Sequence, residues 1–320
     1  MDNIKASSDT PGRPKFLPGQ SVHSRSGRPR HSWPSCFGFV AFDPCNDWAT
    51  EILSGAEDEV ASRRLSLLVC GLRGSQPEAG EATIRSWLWE RRVAGVIFAG
   101  PGPREWELMQ LARRAGVGVA VVGPSAHLPG CIIMQSDNLS AGWAIARHLH
   151  ELSHRRVALI GGPSECQDSL ERARGLAVAL SAHGIEIVAD HSFAASSYHA
   201  NEGAQYADRW LAASRACAPT AIVLANDAMA IGFMRRVQSK GVSIPKDVSV
   251  IGFDDAAIAR EVFPGLTTAR QEMRRMGAEA SIALASIFGG DPPQRWITTF
   301  PMPLVVRQST GPAPKARAPG

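Results

Sequence analysis

Short apolar runs alternate with longer amphipathic segments along most of the chain, and this alternation constrains the fold more than any other feature. The runs are apolar throughout and include CFGFVAF (36–42), VAGVIFAG (93–100), TAIVLAN (220–226) and VSVIGF (248–253). Strands that are apolar on both faces and separated by helices predict parallel sheets covered by helices on both sides. About eight such units leave two architectures, a single eight-stranded barrel or two smaller open sheets.

The segment LHELSHRRVALIGGP (149–163) predicts a boundary between two sheets, because a helix ends there in polar residues and a new strand begins. In open parallel sheets, helix N-termini and loops converge at the carboxyl ends of the strands. We therefore expect a ligand to bind in a cleft between the two sheets.

Composition limits the classes of protein to which this chain can belong. Of its 320 residues, 44% are hydrophobic and 20% are charged, which is typical of globular domains. No apolar stretch is long enough for a membrane span and no signal peptide is visible, so we expect a cytoplasmic location. The six cysteines show no CxxC spacing and are interpreted as reduced thiols.

The net charge of +4 is concentrated at the ends of the chain. Residues 1–35 carry six basic and two acidic side chains and are rich in Pro, Gly and Ser. We predict that residues 1–35 and the tail 311–320 are disordered. Any electrostatic attraction to nucleic acid is therefore expected in these ends and not in the globular body.

Motifs of common enzymes and metal sites are absent from the sequence. There is no GxxxxGK[ST] phosphate loop, no GxSxG nucleophile elbow and no HExxH zinc motif. No group of His, Asp or Glu near Asp254 and Asp255 has metal-ligand spacing, so neither a metal nor another cofactor is predicted.

The paired acids Asp254 and Asp255 follow the apolar run VSVIGF and leave three interpretations: a helix cap, a metal or catalytic site, or a ligand-binding edge. Asp255 is suited to cap a helix over AAIAREVF (256–263). Asp254 lies one residue closer to the strand and would point at the cleft.

Three segments carry a resemblance to a known family. They are LHELSHRRVALIGGP, PTAIVLANDAMAIGFMRRVQSKGVSIPKDVSVIGFDD and FPGLTTARQEMRRMGAEA. In this order they resemble the effector-binding domain of the lac repressor (LacI/GalR) family of bacterial transcription regulators, and the resemblance extends from about Cys36 to Pro312. It implies two Rossmann-like parallel-sheet subdomains joined by three crossovers, as in periplasmic binding proteins, with the ligand cleft between them.

The resemblance also implies subdomain boundaries. The first subdomain would comprise residues 36–152 plus 271–296, and the second would comprise 153–270 plus 297–310. Helix 272–289 has apolar residues at helical spacing, which predicts a core face with one flank available to a dimer partner.

The residues that would bind the effector also follow from the resemblance. They are Asp43, Trp48, Asp137, Arg172, Tyr198, Asn226 and Asp254. The ring of Trp48 would cover the apolar face of a sugar, with a core tryptophan as the alternative. Arg172 in SLERARGLAVAL offers a fork of donors for adjacent hydroxyls or a carboxylate, with a solvated helix arginine as the alternative.

Asn226 can both donate and accept a hydrogen bond, whereas Asp227 beside it is interpreted as a helix cap. Asp254 would accept hydrogen bonds from ligand hydroxyls. Tyr198 would close the pocket, and Asp137 is a further candidate.

The sequence departs from the family pattern in two places. Asn46-Asp47-Trp48 stands where the family has Asn-Pro-Phe, so no particular sugar is predicted. Residues 1–35 do not resemble the helix-turn-helix headpiece of the family, which leaves a truncated product, a wrong start site or a regulator without that headpiece.

GRPK (12–15) and GRPR (27–30) resemble the core of an AT-hook, with basic filler as the alternative.

The expected function is the effector-sensing module of a cytoplasmic, homodimeric regulator of transcription. Its effector would be a sugar, polyol or nucleoside, and DNA is the partner that the family implies; no membrane partner is expected. The alternatives are a solute-binding protein of a transport system and an enzyme on an open α/β sheet, for which no catalytic group is assembled.

Overall fold

The computed structural model describes residues 36–41, 46–72, 77–101, 105–123, 129–213 and 218–314. In these ranges the chain forms mostly parallel strands connected by helices, which confirms the predicted α/β class. The strands are β1 (Cys36–Ala41), β2 (Ser66–Gly71), β3 (Gly95–Ala99), β4 (Gly118–Val122), β5 (Ile132–Ser136), β6 (Arg156–Gly161), β7 (Glu186–Ile187), β8 (Phe193–Ala194), β9 (Ala221–Leu224), β10 (Ser249–Asp254), β11 (Thr267–Arg270), β12 (Ile297–Phe300) and β13 (Leu304–Val305). The helices are α1 (Asp47–Ser62), α2 (Pro77–Trp89), α3 (Glu105–Arg114), α4 (Asn138–Glu151), α5 (Gln167–Ala182), α6 (Ala200–Ala212), α7 (Asp227–Gln238), α8 (Ile258–Glu261) and α9 (Met273–Gly289).

The first sheet has the strand order β12-β5-β4-β3-β1-β2 and its strand pairs are parallel. Successive side chains of a strand point to opposite faces. Phe39 and Ile97 pack with α1 and α9 on one face, whereas Val96 and Phe98 pack with α2 and α3 on the other. Burial on both faces explains why these strands are apolar throughout.

The second sheet has the order β13-β11-β10-β9-β6-β7, with β8 also paired with β6 and β13 antiparallel to β11. Ile222 and Leu224 of β9 pack with α6 and α7, whereas Ala221 and Val223 pack with α4 and α5. Two separate open sheets exclude the alternative of a single eight-stranded barrel.

The chain passes between the two sheets three times, after β5, β11 and β12, as the family resemblance implied. The predicted boundaries differ from the structure in two places. Helix α4 was placed in the first subdomain, but its apolar face packs in the core of the second sheet. Residues 297–310 were placed in the second subdomain, but β12 pairs with β5 in the first sheet.

Three pairs of helices, α1–α9, α4–α5 and α6–α7, approach each other at glycines. A Cβ atom at Gly277 of α9 would lie 2.0 Å from the carbonyl oxygen of Ile52 in α1, and one at Gly232 of α7 would lie 1.9 Å from that of Ala200 in α6. Such close packing of two helices requires a residue without a Cβ at the crossing point.

A buried histidine fixes the C-terminal segment to the second sheet. His154 is fully buried, and its ring nitrogens lie 2.9 Å from Thr220 Oγ1 and 3.1 Å from both Ser249 Oγ and the carbonyl oxygen of Gly311. Burial lowers the pKa of His154 to about 4, so the ring is neutral near pH 7.

The prediction of a disordered tail from residue 311 is therefore wrong for its first residues. Gly311 is bound to His154, and the Ala313 N–H donates to the carbonyl oxygen of Leu152 at 2.8 Å. Residues 1–35 and 315–320, which were also predicted to be disordered, lie outside the described residues, as do both AT-hook-like segments.

Within the described ranges, no helix is long and apolar enough to cross a membrane. In the same part of the chain, no three His, Cys, Asp or Glu side chains are grouped so that they could hold a metal ion.

The cysteines described as free thiols are Cys36, Cys70, Cys131 and Cys166. Cys45 and Cys217 lie outside the described residues.

Candidate ligand-binding site

Asp254 and Asn226 lie at the carboxyl ends of neighbouring strands in the second sheet. Asp254 is the last residue of β10, and Asn226 follows β9 directly before α7. The φ angle of Asp254 is +112° and that of Asp255 is +58°, in a region that residues with a Cβ atom rarely adopt. Surrounding contacts must hold this backbone, and such conformations cluster at binding sites.

The Asp254 carboxylate is buried and only partly satisfied by the protein. Its Oδ1 accepts a hydrogen bond from Gln271 Nε2 at 2.5 Å and lies 3.5 Å from Arg172 Nη2. Among the described residues, none donates a hydrogen bond to its Oδ2. Burial raises the pKa of Asp254 to about 6, although Arg172 and Gln271 both favour the charged form. The carboxylate can therefore accept a further hydrogen bond from a ligand near pH 7.

Arg172 is buried beside Asp254 and is not the solvated helix arginine of the alternative interpretation. Its Nε donates to Asn138 Oδ1 at 3.2 Å and its Nη1 donates to the carbonyl oxygen of Ala225 at 2.6 Å. The guanidinium also lies over the ring of Phe253, 4.9 Å from its centre. These contacts fix the plane of the fork.

The charge of Arg172 is stabilised by the carboxylates around it. Burial alone would favour the neutral form, but Asp254 and Asp168 outweigh burial and raise the pKa of Arg172. The arginine is therefore always charged and can donate to a ligand.

Asn226, and not Asp227, caps helix α7. The Asn226 Oδ1 accepts from the Met229 N–H at 3.0 Å, and its Nδ2 donates to the carbonyl oxygen of Tyr198 at 3.1 Å. The prediction that Asp227 is the cap is wrong, because both of its oxygens have distant partners.

Asp227 is fully buried beneath the site. Its Oδ1 accepts from Thr268 Oγ1 at 2.6 Å and its Oδ2 accepts from the Ala256 N–H at 2.8 Å. Burial raises the pKa of Asp227 well above its ordinary value, and the neighbouring Asp254 raises it further. Asp227 therefore fixes the start of the loop that follows β10, two residues after Asp254.

Tyr198 lies against the backbone of Gly162, where an added Cβ atom would come within 2.3 Å of the ring. Burial raises the pKa of the phenol, and the neighbouring Cys166 adds to the rise. The phenol is therefore protonated and can donate a hydrogen bond.

Trp48 and Gln271 connect the first half of the molecule to the site. The Trp48 Nε1 donates to Gln271 Oε1 at 3.4 Å, and the same oxygen accepts from Ser136 Oγ at 2.9 Å. The Trp48 ring lies against Gly100 and also packs partly on the first core, so the structure accommodates both interpretations of this residue. Asp43 lies outside the described residues.

Asp137 caps helix α4. Its Oδ1 accepts from the Ser140 N–H at 3.0 Å and its Oδ2 accepts from Ser140 Oγ at 2.6 Å. Both oxygens therefore take part in capping, and the binding role of Asp137 stays a prediction.

The interpretation of Asp255 as a helix cap is wrong. Ala257 occupies the cap position of α8 and makes no side-chain hydrogen bond there. The Asp255 carboxylate instead lies 2.9 Å from Arg270, 3.7 Å from Arg260 and in close contact with Arg307. Asp255 therefore fixes the C-terminal segment to the end of β11.

Sequence reasoning missed Asn138, Asp168 and Gln271. Asn138 is the first residue of α4, and its Nδ2 donates to Asp168 Oδ1 at 2.8 Å. Asp168 stands four residues before Arg172 on α5, so the two share a helix face, and this spacing is the signal that could have found it. Gln271 directly follows β11. The polar residues of this strand do not form an apolar run, so the strand and the position of Gln271 at its end were not predicted.

The comparisons with known proteins agree with this architecture. The family model of the periplasmic binding protein-like domain matches residues 146–310. The HTH-type transcriptional repressor PurR of Vibrio atlanticus (strain LGP32) is 30% identical over 278 residues, which cover 85% of this chain and 80% of that protein.

Solved structures share the fold. A LacI family transcriptional regulator from Enterococcus faecium with bound ribose has a TM-score of 0.75 and 22% identity over 87% of this chain and 99% of that one. The lac repressor dimer bound to operator and the anti-inducer ONPF has a TM-score of 0.76 and 23% identity over 88% of this chain and 96% of that one.

Curated relatives such as this PurR repressor are regulators of transcription. This finding favours the effector-sensing interpretation over the solute-binding alternative. The family model covers more than half of the chain, and the PurR relative is similar over most of its length. The chain therefore belongs to the LacI family of transcriptional regulators.

Proposed function

We propose that this regulator senses a small, hydroxyl-rich effector in the cleft between its two sheets. The observation that carries the proposal is that Asp254 and Arg172 of the second half meet Gln271 and Trp48 at the crossover to the first half. A ligand that contacts both halves binds the closed arrangement better than an open one. Only such a difference in affinity can shift the equilibrium between two conformations.

The chemistry of the site fits a sugar, a polyol or a nucleoside. Arg172 supplies donors, Asp254 Oδ2 supplies an acceptor, and the Trp48 ring supplies an apolar face for C–H groups. The ribose bound to the Enterococcus faecium regulator supports this ligand class.

We further propose that the regulator works as a homodimer on DNA in the cytoplasm. The lac repressor dimer bound to its operator supports both partners. Light scattering coupled to size-exclusion chromatography tests the oligomeric state, and a monomer at micromolar concentrations contradicts the dimer.

A thermal-shift screen of sugars, polyols and nucleosides tests effector binding, because a ligand of the folded state raises the melting temperature. Arg172→Lys keeps the charge but loses the fork, and Asp254→Asn keeps the shape but loses the charge. Each variant should weaken binding of the effector by about 10- to 100-fold, since a charge-assisted hydrogen bond contributes about 1.5–3 kcal/mol. Arg174→Lys on the exposed face of the same helix is the control. An undiminished ligand response in both site variants contradicts the proposal.

A further inference from the structure

Asp168 supplies a second partly satisfied carboxylate at the site, and we propose that it makes the regulator selective against anionic effectors. The effector then presents two neighbouring hydrogen-bond donors, from a diol or an amino alcohol, and a sugar phosphate is excluded. This inference rests on the proposed function and narrows the class of its ligand.

The first observation is the position of the Asp168 carboxylate. Its Oδ1 accepts from Asn138, whereas no described residue donates to its Oδ2. That oxygen faces the first half of the molecule, 3.6 Å from the position of a Cβ atom on Gly123 at the end of β4. Gly123 contacts Gly100, which in turn lies against Trp48. The Asp168 oxygen is therefore directed toward the same side of the cleft as the aromatic ring.

The second observation is an excess of acceptors around a single cation. In the described part of the site, Arg172 is the buried cation, and the carboxyl groups of Asp254, Asp168 and Asp227 all interact with it. Two of its donor nitrogens are directed at Asn138 and at a backbone carbonyl and not at these carboxylates. One guanidinium therefore does not neutralise the carboxylates.

The pKa values of the carboxyl groups agree with this imbalance. Burial raises the pKa of Asp168, and Arg172 offsets the rise only in part. Burial raises the pKa values of Asp254 and Asp227 as well. A phosphate placed here would add repulsion in a site of low dielectric constant, whereas two donors would satisfy the open oxygens of Asp168 and Asp254.

Asp168 also has a structural role, because it lies in the first turn of α5 and accepts a hydrogen bond from Asn138. An acid in the first turn stabilises a helix through its dipole. That role does not depend on the charge of a ligand, so the experiment must vary ligand charge.

Matched sets of compounds provide this variation, for example glucose, glucosamine and glucose 6-phosphate, and ribose with ribose 5-phosphate. Their affinities for the full chain are measured by calorimetry at neutral pH. In wild type, the phosphate ester of a sugar that binds should bind at least about tenfold more weakly than the sugar itself, a difference of about 1.4 kcal/mol. The rank of the amine against the parent sugar distinguishes an ammonium donor from a hydroxyl donor.

Asp168→Asn should reduce this discrimination to less than about threefold and should weaken binding of the parent sugar. Asp190→Asn, which changes an exposed acid of the same half, should leave both affinities as in wild type. A phosphate ester that binds wild type more tightly than its parent, or discrimination that survives in Asp168→Asn, overturns the inference.

Two outcomes separate this inference from the proposed function on which it rests. If no sugar, polyol or nucleoside of the thermal-shift screen binds, the proposed function is contradicted. If a parent sugar binds and its phosphate ester binds wild type as tightly or more tightly, the proposed function stands and the present inference is wrong.

Discussion

Gln271 Nε2 donates to Asp254 Oδ1 across 2.5 Å, and this bond joins the crossover after β11 to the end of β10. The other end of the same amide accepts from Ser136 at the end of β5 and from Trp48 in α1. One side chain therefore holds the strand ends of both sheets. A ligand that binds Asp254 would contact the hydrogen-bond partner of the Gln271 amide. Ligand binding would therefore be linked to the relative position of the two halves.

Replacing Gln271 should destabilise the fold, because its partners are buried. In Gln271→Leu, Asp254 loses its closest donor and Ser136 loses its acceptor, which we expect to cost about 1–3 kcal/mol in the free energy of unfolding. Gln271→Glu places a second carboxylate beside Asp254, so its loss of stability should be larger at neutral pH than at mildly acidic pH.

Urea unfolding measures both effects. Gln167→Leu at the exposed start of α5 is the control, and its stability should stay within about 0.5 kcal/mol of wild type. A Gln271→Leu protein as stable as wild type would show that this amide does not hold the two halves together.

The continuous apolar runs were sufficient to predict most of the strands, but not β5, β8, β11, β12 and β13. Strands β8 and β13 have only two residues each, and β5, β11 and β12 carry polar residues, as in TTAR of β11. Thr267 and Thr268 are nevertheless fully buried, because their hydroxyls bond to partners such as Asp227 and the Arg307 N–H. Burial of this kind depends on distant residues and leaves no local pattern.

The same physical reason explains which parts of the site were predicted. Asp254, Arg172 and Asn226 were predicted because they stand at strand ends or in a family motif. The structure places Arg172 beside Asp254 and Asn226 after the neighbouring strand, and their binding role stays a prediction. The capping roles given to Asp227 and Asp255 were wrong, because capping rules consider only neighbours in sequence. Asp227 bonds to a threonine 41 residues away, and Asp255 contacts an arginine 52 residues away.

Effector affinity should depend on pH through Asp254. The pKa of Asp254 is raised to about 6 in the folded protein, and only the ionised carboxylate accepts with both oxygens. We expect wild-type affinity to fall as the pH decreases through about 6. Asp254→Asn should bind more weakly at neutral pH and lose this dependence. Calorimetry over a pH series decides the matter, and identical pH profiles of the two proteins would exclude Asp254 as the acceptor.

The contact between α1 and α9 should not tolerate a methyl group. In Gly277→Ala the new Cβ atom would lie 2.0 Å from the Ile52 carbonyl oxygen, so the helices must separate, and a loss of about 2 kcal/mol or more is expected. Gly289→Ala at the end of the same helix meets no atom within 4 Å and should instead stabilise by about 0.5–1 kcal/mol. Equal effects of the two substitutions on chemical unfolding would contradict the close helix contact.

His154 and Asp254 should oppose each other in the pH dependence of stability. Burial lowers the pKa of His154 from 6.5 to about 4, so the unfolded chain binds the extra proton in this interval and stability falls as the pH decreases. Burial raises the pKa of Asp254 from 3.8 to about 6, so the folded chain binds the extra proton and stability rises as the pH decreases. Each contribution amounts to at most about 3 kcal/mol.

Substitution separates the two contributions. Relative to wild type, Asp254→Asn should lose stability more steeply between about pH 6 and pH 4, because the His154 contribution is then less opposed. His154→Gln, which keeps a neutral polar side chain against Thr220 and Ser249, should gain stability as the pH decreases over the same interval, because the folded chain then takes up a proton at Asp254. Urea unfolding at several pH values measures all three profiles. Parallel profiles would mean that neither buried group changes its pKa on folding. The conclusion that the His154 ring bound to Gly311 is neutral in the fold would then be wrong.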